Sequence, residues 1–430
     1  MTQDHPGKNK SSPIEARVLE AIDLDALLAT LCELIAIPSV SGEELAAQER
    51  VATKMAGCGL TVDCWELDFE QLKQHPQCNM EKERERGLGV VGVMGQDAGG
   101  RSLILNGHTD VVPAGDPDNW TFAPWQGTVS DGRVYGRGAV DMKGALCAAL
   151  YAAKAIHDAG VRLKGQLIVE SVIGEEDGGV GTLAAILRGY KADGAIVVEP
   201  TELAVAPSQA GALSFRVTVP GLAAHGCVRE EGVSALDTFL PVYHALMALE
   251  QERNSTVKDP LFRRYRLPYA LCIGRLEAGE WPSSVAESLV FEGRYGVAVG
   301  EDSAKARRTV EDTVDRAAAS DPWLRDHRPV VEWWGGQFEP ASIPPQHPLV
   351  LAVRDAFEAA SGSRPSIEGV TYGADMRLLV NVGGTPTLLF GPGDVRQAHR
   401  PDEYVPIDEL ETAVRTLALA VLRFCGTDVA

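Results

Sequence analysis

The sequence predicts an α/β fold, a mostly parallel sheet flanked by helices and interrupted by an inserted α+β module. Three observations carry this. Short runs that are apolar on both faces, such as SLILN at 102–106 and GAIVV at 194–198, alternate with helical segments, as strands buried in a parallel sheet do. From about residue 210 the pattern changes to polar–apolar alternation, GALSFRVTVPG, which suits a strand with one wet face. After the proline-rich stretch FEPASIPPQHP the first pattern resumes. One α/β domain, residues 1–209 and 335–430, is therefore expected to be interrupted by an inserted lid, 210–334, of ordinary domain size.

Residues 24–58 show helical apolar spacing, broken at Pro38 and restarted at a capping signal formed by Ser41 and Glu44. Strands are expected at 60–66, 88–94 and 102–106, followed by an alanine-rich helix at 143–159 and a strand at 166–173. Helix 180–189 and strand 194–198 complete the first stretch. In the insert, the strand beginning near 210 precedes a helix at 233–251, strands at 270–276 and 287–299, a helix at 302–320 and a strand at 328–334. A β-α-β-β-α-β order of this kind predicts a ferredoxin-like module. Helix 348–361, strand 386–390 and helix 408–424 return the chain to the first domain.

Bulk properties narrow the partners. Lys and Arg number 40 against 60 Asp and Glu, a formal charge of −20, which argues against nucleic acid and anionic membranes. Eight cysteines are scattered without a CxxC pair, the usage of reduced thiols in a cytosolic enzyme. The opening MTQDHPGKNKSSP is polar and lacks the apolar core of a signal peptide or anchor. No run of about 18 uninterrupted apolar residues occurs, so no membrane span is expected and a cytoplasmic location follows.

The residues with chemical potential lie just past the apolar strands, at the edge where open α/β sheets bind ligands. LILNGHTDVVP supplies His108 and Asp110; read alone, His-x-Asp is usually structural, but a histidine ligand wants a carboxylate on its other ring nitrogen. In VYGRGAVDMKGAL, Asp141 stands between a glycine-rich turn and a helix, where an N-cap is the simplest single reading. GQLIVESVIGEEDGGVG ends a buried strand in Glu175 and Glu176; Gly174, Gly178 and Gly179 suggest a turn in which both side chains can face one site. Glu170 then belongs to the strand and Asp177 to the turn or the next helix. AIVVEPTEL places Glu199 at a strand end stopped by Pro200, and LLFGPGDVRQAHRPDEYV brings His399 after a glycine-rich loop. VPGLAAHGCVREEGVSAL carries His225 within the insert. Two histidines and three or four carboxylates recurring at the strand ends of one sheet fit a two-metal site with mixed N/O ligands, suited to zinc. A phosphate-binding loop in DGGVG fails on spacing, because Gly178, Gly179 and Gly181 do not make G-x-G-x-x-G.

HTDVVP, YGRGAVDMKG, GEEDGG, VVEPT, the G-x-x-AH of the insert, and GPG followed by AHRPDEYV occur in this order between about residue 30 and the C-terminus. In these motifs the sequence resembles the M20 metallopeptidase family, and within it the acetylornithine deacetylase / succinyl-diaminopimelate desuccinylase branch. The resemblance implies a zinc-hydrolase catalytic domain with an inserted lid/dimerisation domain, binding two zinc ions that cobalt can replace. It implies that His108 and Glu199 hold one metal and Glu176 and His399 the other, with Asp141 bridging, Asp110 clamping His108 and Glu175 as general acid/base. His225 would reach the partner subunit's active site in a homodimer and help stabilise the oxyanion, and the Asp141–Met142 peptide would be cis. The implied reaction removes an N-acyl group from an amino acid or related amine of small size. Arg294 in FEGRYG and Arg377 in YGADMRLL are candidates for a substrate carboxylate, since guanidinium pairs with it bidentately, although each also suits a surface ion pair. The insert departs from many members at GEWPSSVAES, where they carry an asparagine before a proline. Two alternatives stand beside this reading: a dipeptidase or carboxypeptidase using the same machinery, and a non-catalytic binding protein, which the presence of all five ligand positions opposes.

Overall fold

The computed structural model describes residues 12–96 and 98–428, so residues 1–11 of the polar opening stretch lie outside it. The chain forms two compact units, Met1–Pro207 with Ser342–Glu368 and Ala374–Ala430, and Ser208–Ala341 with Gly369–Gly373.

The larger unit is built on a mixed sheet whose strands run in the order Thr61–Glu66, Leu88–Gly95, Gln166–Val172, Leu103–His108, Gly194–Val197, Thr387–Leu389 and Val205–Gln209. Its centre is parallel: Leu103–His108 lies between Gln166–Val172 and Gly194–Val197, and Thr387–Leu389 pairs with the latter. Leu88–Gly95 and Thr61–Glu66 add antiparallel at one side. Leu103–His108 is buried at every position, which explains why its sequence carries no alternation. The outer Thr61–Glu66 mixes exposed and half-buried positions instead. Helices Gly144–Asp158, Val180–Arg188 and Ile407–Cys425 pack on the sheet.

Two local expectations are corrected. Helix Leu45–Gly57 does not begin with a Ser41/Glu44 capping box: Glu44 precedes it directly and makes no side-chain cap bond. Its carboxylate accepts the Gly42 N–H at 2.8 Å and pairs with Arg84, a partner that local spacing gives no hint of. Asp141 is not an N-cap either. It sits in an irregular turn, Ala139–Lys143, in which Asp141 and Met142 leave helical dihedrals and the peptide between them is cis. A small sheet of three-residue strands, Thr128–Ser130, Arg133–Tyr135 and Tyr404–Pro406, escaped the sequence reading because such strands are too short to show a period. It joins the approach to Asp141 to the chain that follows His399.

The smaller unit has an antiparallel sheet ordered Leu271–Ala278, Ser288–Val297, Gly211–Pro220, Val330–Phe338, with helices Ala235–Ser255 and Ser303–Ser320 between strands. That is the ferredoxin-like arrangement. Leu213, Phe215, Val217 and Val219 are fully buried, and the positions between them half-buried, as the alternation requires. Phe239, Val242, Leu246 and Val310 from the helices complete this core. Among the described residues no helix is long and apolar enough to cross a membrane, and the eight cysteines are free.

Candidate metal centre

The parallel register brings the strand ends together. His108 pairs with Val172 and Asn106 with Val197, so Glu175 and Glu199, each a few residues past its strand, emerge beside His108. Asp141 arrives from its irregular turn, and His399 from a loop where it adopts φ +61°, a left-handed conformation rare outside glycine that marks a constrained position.

Six side chains of the larger unit converge. His108 Nε2 lies 3.1 Å from Asp141 Oδ1, 3.9 Å from Glu199 Oε1 and 4.0 Å from Glu175 Oε2. His399 Nε2 lies 3.0 Å from Glu176 Oε1 and 3.4 Å from Asp141 Oδ2. Asp141 thus offers one oxygen to each imidazole. His108, Glu175 and Glu199 form one group able to hold an ion, and His108, Asp141 and Glu176 another. His108 Nδ1 meets the Asp110 main-chain carbonyl at 2.8 Å. A carbonyl only accepts, so Nδ1 carries a proton, and Nε2 is the ring nitrogen turned to the carboxylates.

The charge balance favours a cation. Four carboxylates stand against two imidazoles, with Glu175 and Glu199 7% and 4% exposed. Burial, together with the neighbouring charge of Glu199 on Glu175 and of Asp141 on Glu176 and Glu199, pushes all three glutamates above the usual carboxylate range. Burial resists ionising Asp141, but its bonds to His108 and His399 outweigh it and hold the carboxyl below its usual range. Burial likewise disfavours a charged His108, yet Asp110, Asp141 and Glu199 hold it well above its ordinary value. The bonds to Asp141 and Glu176 raise His399 to about 10. Glu175 Oε1 is buried with no hydrogen-bond partner. Imidazole nitrogen and carboxylate oxygen are donors that zinc takes, so the residues fit the metal site that the sequence resemblance implies.

A surrounding shell fixes these groups. The Asp110 carboxylate stays 3.5 Å from His108 and instead accepts the amides of Glu175 and Glu176 at 3.3 and 3.0 Å. Glu403 Oε1 accepts the Val140 and Asp141 amides at 3.1 and 3.3 Å, while Oε2 pairs with Arg137. Lys143, fully buried, donates to the Leu34 and Ile37 carbonyls at 2.9 and 3.0 Å, and burial lowers its amine to about 7. Arg377 is 1% exposed and donates to the Gly178 carbonyl at 2.7 Å. Sequence reasoning missed Glu403 and Arg137, although Glu403 stands in the quoted AHRPDEYV motif.

His225 and Arg294 belong to the smaller unit. His225 is exposed, and its Nδ1 accepts the Cys227 N–H at 3.2 Å. Arg294 donates to the Thr371 carbonyl at 3.2 Å, has a buried Nε with no partner, and is held below its ordinary value by burial.

The chain is 32% identical over 345 residues to N-formyl-4-amino-5-aminomethyl-2-methylpyrimidine deformylase of Halalkalibacterium halodurans, covering 76% of this chain and 79% of that protein. It is 28% identical over 407 residues to acetylornithine deacetylase of Myxococcus xanthus, covering 94% and 98%. The fold matches an M20 family metallo-carboxypeptidase of Sulfolobus solfataricus with a TM-score of 0.71 at 17% identity, over 92% of this chain and 98% of that one. Residues 104–423 match the family described as Peptidase family M20/M25/M40, and with that span and the deformylase relative the chain belongs to this family.

Proposed function

We propose that this metal-dependent amide hydrolase is a di-zinc enzyme that removes a small N-acyl group from an amino acid or a related amine. The observation that carries the reading is the convergence of His108, Asp141, Glu176, Glu199 and His399 around a buried Glu175 with an unpartnered oxygen. Zinc, when bound, lowers the pKa of water toward about 7 and polarises a carbonyl.

We assign His108 and Glu199 to one ion, Glu176 and His399 to the other, and Asp141 to both. The last assignment is supported by its oxygens facing the two imidazoles separately. Glu175 takes the proton of the attacking water and delivers it to the leaving nitrogen as the C–N bond breaks. Burial among carboxylates, which raises its proton affinity, suits a group that must both accept and return a proton near neutral pH. Asp110 keeps the Glu175 and Glu176 amides in place during the exchange. Arg294, with no carboxylate beside it among its hydrogen-bond partners, is our choice to pair with a substrate carboxylate. We assign the smaller unit the roles of lid and homodimer contact, with His225 stabilising the developing oxyanion in the neighbouring protomer's site.

The deformylase and deacetylase relatives support acyl removal over peptide cleavage. The test is purified protein analysed for bound metal and assayed with zinc or cobalt on N-formyl and N-acetyl amino acids, N-formyl amines and dipeptides. Release of formate or acetate at two metals per chain supports the reading. Turnover of dipeptides alone would move it to the peptidase alternative.

A further inference from the structure

The turn that presents Glu175 and Glu176 is gripped by a buried ion triad. Asp177, the next residue, is 4% exposed and has both oxygens on Arg84, Oδ1 to Nη2 at 2.8 Å and Oδ2 to Nη1 at 2.9 Å. On its other side the same guanidinium binds Glu44, with Nη2 and Nε at 2.6 and 3.1 Å from Oε1. The three side chains are 0%, 1% and 5% exposed for Arg84, Glu44 and Asp177. The backbone near Arg84 is seated on the turn as well. The Lys82 amide donates to Asp177 Oδ2 at 2.8 Å and the Glu81 amide to the Asp177 carbonyl at 3.2 Å. At Gly178, φ +133°, a Cβ would fall 1.3 Å from the Asn79 carbonyl oxygen, so only glycine permits this approach.

We propose that Arg84 is a positioning residue for the metal centre, fixing the Glu175–Glu176 turn through Asp177 and tying it through Glu44 to the start of helix Leu45–Gly57. The proposal rests on Glu176 being a metal ligand and Glu175 the proton carrier. Asp177 is joined to Glu176 by one peptide, so a shift of the Asp177 backbone carries the ligand with it. A guanidinium sets both direction and distance for two carboxylates at once, which a point-charge ammonium cannot. A buried ion network is a poor way to gain stability compared with apolar packing, and its best-attested use is to fix one arrangement. Here the arrangement fixed is the aim of Glu175 and Glu176.

The experiment titrates zinc into metal-free full-length protein against a chromophoric chelator, for wild type, Asp177→Asn, Arg84→Lys and Arg84→Met. Thermal unfolding of the metal-free forms is measured in parallel. Asp177→Asn keeps the side-chain shape and an acceptor for the Lys82 amide; it is expected to fold and to bind zinc about 10- to 100-fold more weakly, the usual effect of losing a group that orients a ligand. Arg84→Lys, which keeps the charge, is expected not to restore wild-type affinity. If Arg84→Met does not fold, Asp177→Asn decides. Zinc affinities within twofold of wild type in folded variants overturn the clamp and leave the proposed metal centre standing. Failure of wild type to bind zinc overturns the metal centre itself, and the clamp with it. Loss of folding in every variant makes the triad purely structural and also overturns the proposal.

Discussion

The pair Arg137–Glu403 gives a prediction whose size follows from the geometry. Both side chains are buried, at 2% and 1% exposure, and Glu403 serves Arg137 with one oxygen and the Val140 and Asp141 amides with the other. Glu403→Gln keeps an acceptor for the amides but leaves Arg137 without its counter-charge. A guanidinium cannot shed its proton, so the buried charge persists and the variant should lose about 3–5 kcal/mol. Arg137→Met leaves a carboxyl that burial already raises to about 7, even with Arg137 beside it. That group can take up a proton, so the loss at neutral pH should be the smaller of the two. The double variant removes both charges and should be more stable than the sum of the single losses implies, with a coupling of about 2 kcal/mol. Urea unfolding of the four proteins at pH 7 with zinc present measures all three quantities. A Glu403→Gln change of under about 0.5 kcal/mol, the size typical of surface substitutions, or strict additivity in the cycle, would refute the reasoning.

Glu175→Gln should retain zinc content and lose about 10²–10⁴-fold in turnover; wild-type activity in that variant would remove Glu175 from the proton path. Stripping the metal with a chelator should abolish activity and lower the unfolding temperature, because the carboxylates around His108 and His399 are left crowded, and zinc or cobalt should restore both. Glu170 is fully buried, accepts from Asn106 at 2.9 Å, and is raised by burial to about 7 against an ordinary 4.5. The folded state holds this proton more tightly than the unfolded state, so the stabilisation is complete below about pH 4.5 and is lost as pH rises through about 7. The loss amounts to about 3 kcal/mol, and Glu170→Gln, compared with wild type in zinc-saturated urea melts from pH 5 to 8, should flatten it; parallel curves would refute it. Arg294→Met should raise KM for N-acyl amino acids and leave uncharged N-acyl amines unaffected, whereas equal effects on both would assign Arg294 a structural role.

What the sequence determined by itself is the alternation of buried strands and helices, the ferredoxin-like insert, and the candidate ligands. Burial writes both kinds of information locally. Leu103, Ile104 and Leu105 are apolar because both faces of their strand are covered, Gly211–Pro220 alternates because one face is wet, and the carboxylates and histidines stand out by ending such runs. Tertiary structure decided what holds those side chains in aim. Glu44 reads as a helix cap and Asp177 as a turn residue, yet both are bound to Arg84, respectively 40 and 93 residues away along the chain. Glu403 reaches the Asp141 amide across 262 residues, and Arg377 reaches Gly178 across 199. Periodicity reports what covers a residue, not which distant charge meets it. An ion pair exists only once packing has brought its members together and excluded the water that would otherwise separate them.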